Sequence, residues 1–94
     1  MEYNDYELSQ MFNENDENAK DVLFEKYSYI IDIILNKYKK TMYALNMDFS
    51  EVRQDANLAF TDAVVRYSSE RDTSLPTFIS LVVERKVQNA VRKA

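Results

Sequence analysis

Apolar side chains recur every three or four residues along most of the chain, which is the spacing of α-helices that bury one face. The longest series predicts one helix from Asp16 to about Lys40, with apolar residues at positions 19, 23, 27, 30, 34 and 38. The isoleucines in this series are β-branched and would by themselves favour a strand. The unbroken helical period on both sides of them outweighs that preference.

Polar residues with capping chemistry predict where helices begin. Asn4, followed three residues later by Glu7, has the spacing of a capping box and predicts a short first helix over residues 5–13. Asp16 is placed to cap the long helix, because a carboxylate accepts hydrogen bonds from the free N–H groups of a first turn. Asp48 precedes a third helix in the same way, and that helix is predicted to end at Tyr67.

Two connections complete the predicted topology. Residues 41–48 link the second and third helices, with four side chains expected to be partly buried: Met42, Tyr43, Leu45 and Met47. Residues 68–73 form a polar loop before a last helix that starts at the cap residue Ser74. Pro76 falls in the first turn of that helix, where its missing N–H costs little.

The predicted fold class is all-α, a three-helix bundle with an additional short N-terminal helix. A chain of 94 residues has room for a single domain, and it contains no glycine and one proline, which disfavours β-hairpins. The second and third helices must pack their apolar stripes together. We therefore expect these residues to be among the most buried: Ile30, Ile34, Phe60 and Ala63.

The residue types that are missing exclude several kinds of chemistry. The chain has no cysteine, histidine or glycine, which rules out thiol nucleophiles, imidazole bases, zinc–thiolate sites and glycine-rich phosphate loops. We expect a protein that is not an enzyme and needs no cofactor or metal. No apolar run is long enough to span a membrane. The acidic N-terminus lacks the basic start of a signal peptide, so a cytoplasmic location is expected.

Charge is distributed unevenly along the chain, whose formal net charge is −4. The first 25 residues carry eight acids and one lysine, whereas residues 84–94 carry four cations and one acid. This asymmetry indicates an anionic partner at the C-terminal end. One helical face there carries side chains that can bond base edges, although a solvated surface is the alternative: Arg85, Gln88, Asn89 and Arg92.

The third helix presents another polar face, in which acids and an amide surround an apolar side chain: Glu51, Gln54, Asp55, Leu58 and Asp62. Such a face is typical of a protein-docking surface, and ordinary solubility is the alternative. Tyr67 falls on the apolar stripe and is predicted to lie in the core. Spacing leaves Phe78 open between core packing and stacking on a base beside the basic face.

Several motifs stand in an order and spacing that a known family shares: Glu51-Val52-Arg53-Gln54-Asp55, then Ala63, Val64 and Tyr67, then Leu75, Phe78 and Val91-Arg92-Lys93. In these motifs residues 49–94 resemble the second conserved region of bacterial sigma-70-family RNA polymerase sigma factors. The N-terminal part is similar to the entry of the sigma-H-like and extracytoplasmic-function alternative factors, in Glu7-Leu8 and Leu23-Phe24-Glu25-Lys26-Tyr27.

The resemblance implies partners and roles. One partner would be core RNA polymerase, which the domain would bind at the clamp-helices coiled coil of the largest subunit. The contacting residues would be Glu51, Gln54, Asp55 and Asn57. Thr77 and Phe78 would capture a flipped base of the promoter −10 element. The helix that follows would meet the upstream part of that element and its phosphates with Arg85, Lys86, Gln88, Asn89, Arg92 and Lys93. An anti-sigma factor is a further candidate partner.

Several positions depart from the family pattern. Leu81 and Val82 stand where primary factors carry tryptophans, Asp72 stands where a glycine is common, and Pro76 is unusual in the base-capturing segment. The 94 residues do not include a region that reads the −35 element, so the chain is expected to be a fragment of a longer sigma factor, with a degenerate relative that has region two alone as the alternative. Two alternatives stay open. One is a sigma-like helical interaction module without DNA recognition, and the other is an oligomerisation domain with surface residues Tyr3, Tyr43 and Met47.

Overall fold

The computed structural model describes residues 4–14, 16–67 and 73–94. They form five α-helices: α1 Asp5–Asn13, α2 Glu17–Tyr27, α3 Tyr29–Ala44, α4 Phe49–Arg66 and α5 Leu75–Lys93. The described residues include no strand, which confirms the all-α prediction. Within the same ranges, no helix has both the length and the apolar character needed to cross a bilayer. The predicted 68–73 loop is described only at Thr73, and Tyr3 and Asp72 lie outside the described residues.

The long second helix predicted from the sequence is two helices, α2 and α3, joined at Ser28, so the prediction of a single helix there is wrong. The N–H of Ser28 donates to the carbonyl of Phe24 at 2.8 Å, and the N–H of Ile31 donates to the carbonyl of Ser28 at 3.0 Å. The second bond spans three residues, which tightens the turn as in a 3₁₀-helix. One tightened turn hardly alters the apolar spacing, and the sequence period therefore did not reveal it.

The end of α3 is a left-handed turn at Asn46, whose φ is 60°. The N–H of Met47 donates to the carbonyl of Met42 at 3.0 Å, and the N–H of Asn46 donates to that of Tyr43 at 3.1 Å, the two bonds of a Schellman motif. Met42 is buried and Met47 half-buried, as expected. Tyr43 is 88% exposed and Leu45 is also exposed, contrary to prediction. α3 extends into the predicted connection as far as Ala44 and turns Tyr43 outward, and Leu45 is the C-cap residue that follows.

Hydrogen bonds confirm three of the predicted N-caps. The side-chain oxygen of Asn4 accepts from the N–H of Glu7 at 2.8 Å, and the Glu7 carboxylate accepts from the N–H of Asn4 at 3.4 Å, which completes a capping box. The carboxylates of Asp16 and Asp48 accept from backbone N–H groups in the first turns of α2 and α4. The sequence therefore located the starts of α1, α2 and α4, the last of which is the third helix of the sequence prediction.

The central element is α4, because α1, α3 and α5 all pack against it. α2 reaches it through Phe24, whose ring meets the ring of Phe60 edge-on with centroids 5.5 Å apart. The inner face of α4 carries small residues that let its neighbours approach closely: Ala56, Ala59 and Ala63. The residues predicted to lie deepest are all buried: Ile30, Ile34, Phe60 and Ala63.

Candidate functional site

The C-terminal half of α5 presents the cations and amides that the sequence singled out. Val83 and Val87 are buried on its inner face, so the opposite face points to solvent. No ion pair among the described residues engages the four cations of this segment, and their charge is available to an anionic ligand. We call this set the α5 ridge, and all its members are exposed: Arg85, Lys86, Gln88, Asn89, Arg92 and Lys93.

Gln88 differs from the rest of the α5 ridge because its amide is bound within the protein. Its Nε2 donates to the hydroxyl of Tyr38 at 2.9 Å, and that hydroxyl donates to Oε2 of Glu84 at 2.8 Å. The Nζ of Lys37 donates to the same carboxylate oxygen at 2.6 Å. The side chain of Gln88 is thus held toward α3, which leaves Asn89 as the amide better placed to meet a base edge.

The hydrogen bonds from Lys37 and Tyr38 hold the pKa of Glu84 below its ordinary value of 4.5, because they favour the ionised carboxylate. The folded protein therefore binds this proton less tightly than the unfolded chain does. It follows that the network stabilises the fold at neutral pH. This contribution is lost as the pH falls from about 4.5 through the lowered pKa.

We expect Glu84→Gln to lower the free energy of unfolding at pH 7 by less than about 1 kcal/mol, the range of partly exposed ion pairs. The cost should shrink in acid, where the wild-type carboxyl is also protonated. Urea melts at neutral and acidic pH measure both values. Lys37→Met removes one of the two hydrogen bonds to the carboxylate and should flatten the pH dependence in part, because the bond from Tyr38 remains. Adding Lys37→Met to Glu84→Gln should change the pH dependence no further. A cost of Glu84→Gln that is equal at both pH values would contradict the assignment.

Phe78 lies in the core and is only 9% exposed. Its ring packs against Tyr67 with centroids 6.1 Å apart. Tyr67 is half-buried against the core, as predicted, and its hydroxyl donates to the carbonyl of Thr73 at 3.2 Å. This placement answers the open question about Phe78 in favour of packing. In this position the ring is not accessible to a base, so the base-capturing role that the resemblance implied for Phe78 stays a prediction that requires the ring to leave the core.

Thr77, the other residue assigned to base capture, is exposed in the first turn of α5, where Pro76 also lies as predicted. Ser74 is the N-cap residue, but its hydroxyl donates to the Thr77 side chain at 3.0 Å and makes no capping bond to the backbone. Leu81, at one tryptophan position, is exposed along a groove between α3 and α5 that Thr77 and Tyr29 also line. The sequence analysis did not identify Tyr29 as a residue that lines this groove, because Tyr29 lies one position before Ile30 of the apolar stripe.

The face of α4 predicted to dock a protein is open to solvent along most of its length. Glu51 and Gln54 are exposed, whereas Asp55 and Asn57 are half-buried. Leu58 is exposed among them. The prediction that Gln54 faces solvent is confirmed, and Asp55 does so in part. An apolar side chain within a polar surround is the arrangement that protein-docking surfaces use.

These two surfaces meet at a groove of about 290 Å³ between α4 and α5. One wall carries an acid and the other carries two cations. The sequence identified both faces but not their junction, because helical periodicity does not specify how two helices pack. The lining residues are Leu58, Ala59 and Asp62 from α4, and Val82, Arg85, Lys86 and Asn89 from α5.

Comparison of the chain with family models, with curated proteins and with solved structures finds no match. The resemblance to sigma region 2 is therefore an interpretation of the sequence motifs alone. What bears on function is the chemistry of the surfaces described above: a cationic ridge on α5, a polar face with an exposed leucine on α4, and the groove that joins them.

Proposed function

We propose that this chain is the polymerase-binding and −10-recognising domain of an alternative sigma factor. The observation that carries the proposal is the junction of the α4 docking face and the α5 ridge at one groove. A domain that holds polymerase with one helix and promoter DNA with the next needs the two surfaces to be adjacent. Such a protein acts in the cytoplasm, without catalytic chemistry or a bound cofactor, and an anti-sigma factor is a fitting regulator.

The proposed DNA contacts divide into two kinds. Asn89 has the paired donor and acceptor that reads an adenine edge, a contact worth roughly 1–3 kcal/mol of discrimination. Arg92 and Lys93, at the end of the ridge, neutralise phosphates without reading sequence. With a formal net charge of −4, the free protein should bind DNA weakly and with strong salt dependence. Polymerase strengthens the contact by holding the ridge against the promoter.

On holoenzyme reconstituted with core polymerase, we expect Asn89→Ala to change base preference at one −10 position. Arg92→Ala should instead weaken all promoters alike and reduce the slope of log affinity against log salt by about one unit, because one phosphate contact is lost. A promoter-library selection measures the first effect, and DNA binding titrated across salt concentrations measures the second.

Lys39→Ala is the matched control for charge, since Lys39 is an exposed cation on α3 that lines a groove with Phe49 and Arg53 of α4 and is not part of the ridge. It should leave both base preference and salt slope unchanged. If Asn89→Ala alters neither activity nor sequence preference, and Arg92→Ala behaves like Lys39→Ala, DNA recognition by α5 is refuted.

The second candidate function is a sigma-like module that docks on a protein without reading DNA. Two observations favour it: Phe78 is buried, and the amide of Gln88 is bound to α3. Both remove side chains that DNA recognition would use. Both candidates predict co-purification with polymerase. They differ in the effect of Asn89→Ala and Arg92→Ala, which should alter transcription if α5 reads DNA and leave it unchanged if the module only docks.

A further inference from the structure

A groove of about 590 Å³ lies where α1, α2 and α4 meet. Three phenylalanine rings form its walls: Phe12 from α1, Phe24 from α2 and Phe60 from α4. Phe12 and Phe60 are buried, whereas Phe24 is 46% exposed. A half-exposed aromatic ring over a hollow of this size leaves an apolar surface that an inserted side chain would cover.

The rim of this groove is acidic. Asp21 and Glu25 lie one helical turn apart on α2, at the edge of the hollow. No ion pair among the described residues engages either carboxylate. The cation at the rim, Lys20, pairs with Glu17 at 3.4 Å and lies 5.7 Å from the centroid of the Phe12 ring. Negative charge beside the phenylalanines is therefore available to a partner.

The helices that frame the groove are fastened to each other. The hydroxyl of Tyr27 donates to Oδ2 of Asp5 at 2.6 Å, and the Nζ of Lys26 lies 3.0 Å from Oδ1 of the same residue. These contacts join the start of α1 to the end of α2. The hollow between the two helices is thus part of the folded structure, and a ligand need not pull the helices into place.

We propose that this groove binds an amphipathic helix of a protein partner, which inserts a leucine or phenylalanine among Phe12, Phe24 and Phe60 and sets lysines or arginines against Asp21 and Glu25. Helix-in-groove recognition uses this combination of apolar anchor and charged flank. The acidic rim repels phosphates, so the occupant is not a nucleic acid. The site shares no lining residue with the groove between α4 and α5, and the proposal does not rest on the sigma assignment.

The probe is a synthetic 16-residue helical peptide with leucines on one face and lysines beside them, titrated into the full isotope-labelled chain. We expect backbone amide shifts at Phe24, Phe60 and Thr61, the last of which lines the opposite rim. A second peptide with glutamates in place of the lysines should bind at least about ten times more weakly, because complementary charge is what selects the partner.

Asp21→Lys should weaken the basic peptide at least tenfold, and Phe24→Ala should do the same through loss of apolar contact. Asp32→Lys on α3 is the charge-reversal control, since it reverses one exposed aspartate that does not line the groove, and it also removes the ion pair of Asp32 with Arg53 at 3.0 Å. Thermal melts verify that each variant is folded. If Phe24→Ala does not fold, the result for Asp21→Lys decides the test. Any of three results would overturn the proposal. The two peptides could bind equally well, Asp21→Lys and Asp32→Lys could have equal effects, or the amide shifts could be confined to other surfaces. Dimerisation of the free chain that buries Phe24 would also overturn it, since a second copy would then be the occupant.

Discussion

Ile34→Ala is expected to lower the free energy of unfolding by about 2–5 kcal/mol. Ile34 is only 3% exposed and belongs to the core cluster that joins the helices. Truncation removes buried methyl and methylene groups and leaves a cavity that the surrounding helices fill only in part. Urea denaturation followed by circular dichroism measures the loss. In a domain of this length each kcal/mol should lower Tm by about 4–8 °C.

Ile33→Ala is the matched control, because it makes the same chemical change at the preceding position. Ile33 is 61% exposed, and surface substitutions usually change stability by no more than about 0.5 kcal/mol. The difference between the two variants isolates burial from helix propensity. A loss below about 1 kcal/mol for Ile34→Ala, or equal losses for both, would show that this stripe of α3 is not the core face.

The double substitution Gln54→Ala with Asp55→Lys is expected to abolish co-purification with core RNA polymerase while the fold stays intact. It removes an exposed amide from the centre of the α4 docking face and reverses a neighbouring charge. Reversing a charge inside an interface sets like charges together or leaves a buried charge unpaired, either of which costs several kcal/mol. A pull-down with purified core polymerase measures the binding, and thermal melts measure the folding.

Asn36→Ala with Asp32→Lys is the control for this pair. It makes an amide truncation and a charge reversal on exposed positions of α3, and Asp32→Lys also removes the ion pair of Asp32 with Arg53 of α4. The control should retain polymerase binding at wild-type yield. Should the Gln54–Asp55 double variant also bind at wild-type yield, α4 is not the docking helix, and the proposed function loses its polymerase partner.

Most of the fold follows from local rules that a sequence expresses directly. The capping box at Asn4 and the caps at Asp16 and Asp48 depend on residues within a few positions of each other, and all three were predicted. The break at Ser28 was not, because a single three-residue bond leaves the apolar spacing nearly intact. The extension of α3 was missed for a related reason. The apolar residues after position 40 read as a buried connection, whereas Met42 continues the core stripe of α3.

The candidate site divides along the same line. The exposure of Arg85, Asn89 and Arg92 on one ridge follows from helical periodicity. The bond from Gln88 to Tyr38 joins residues fifty positions apart, and the direction of the Phe78 ring depends on the position of α4. Such features depend on how helices pack against one another. The apolar stripe of a helix predicts which face is buried, but not which neighbouring side chains that face will meet.

The left-handed turn at Asn46 has a consequence for the unfolded chain. Glycine would adopt this conformation without steric cost, yet it would also have the largest backbone freedom to lose on folding. Asparagine tolerates the same geometry with less freedom. The chain closes α3 with asparagine and contains no glycine anywhere in its 94 residues. No position therefore brings the conformational entropy of a glycine to the denatured ensemble, and fixing the backbone costs less than in a glycine-containing chain of equal length.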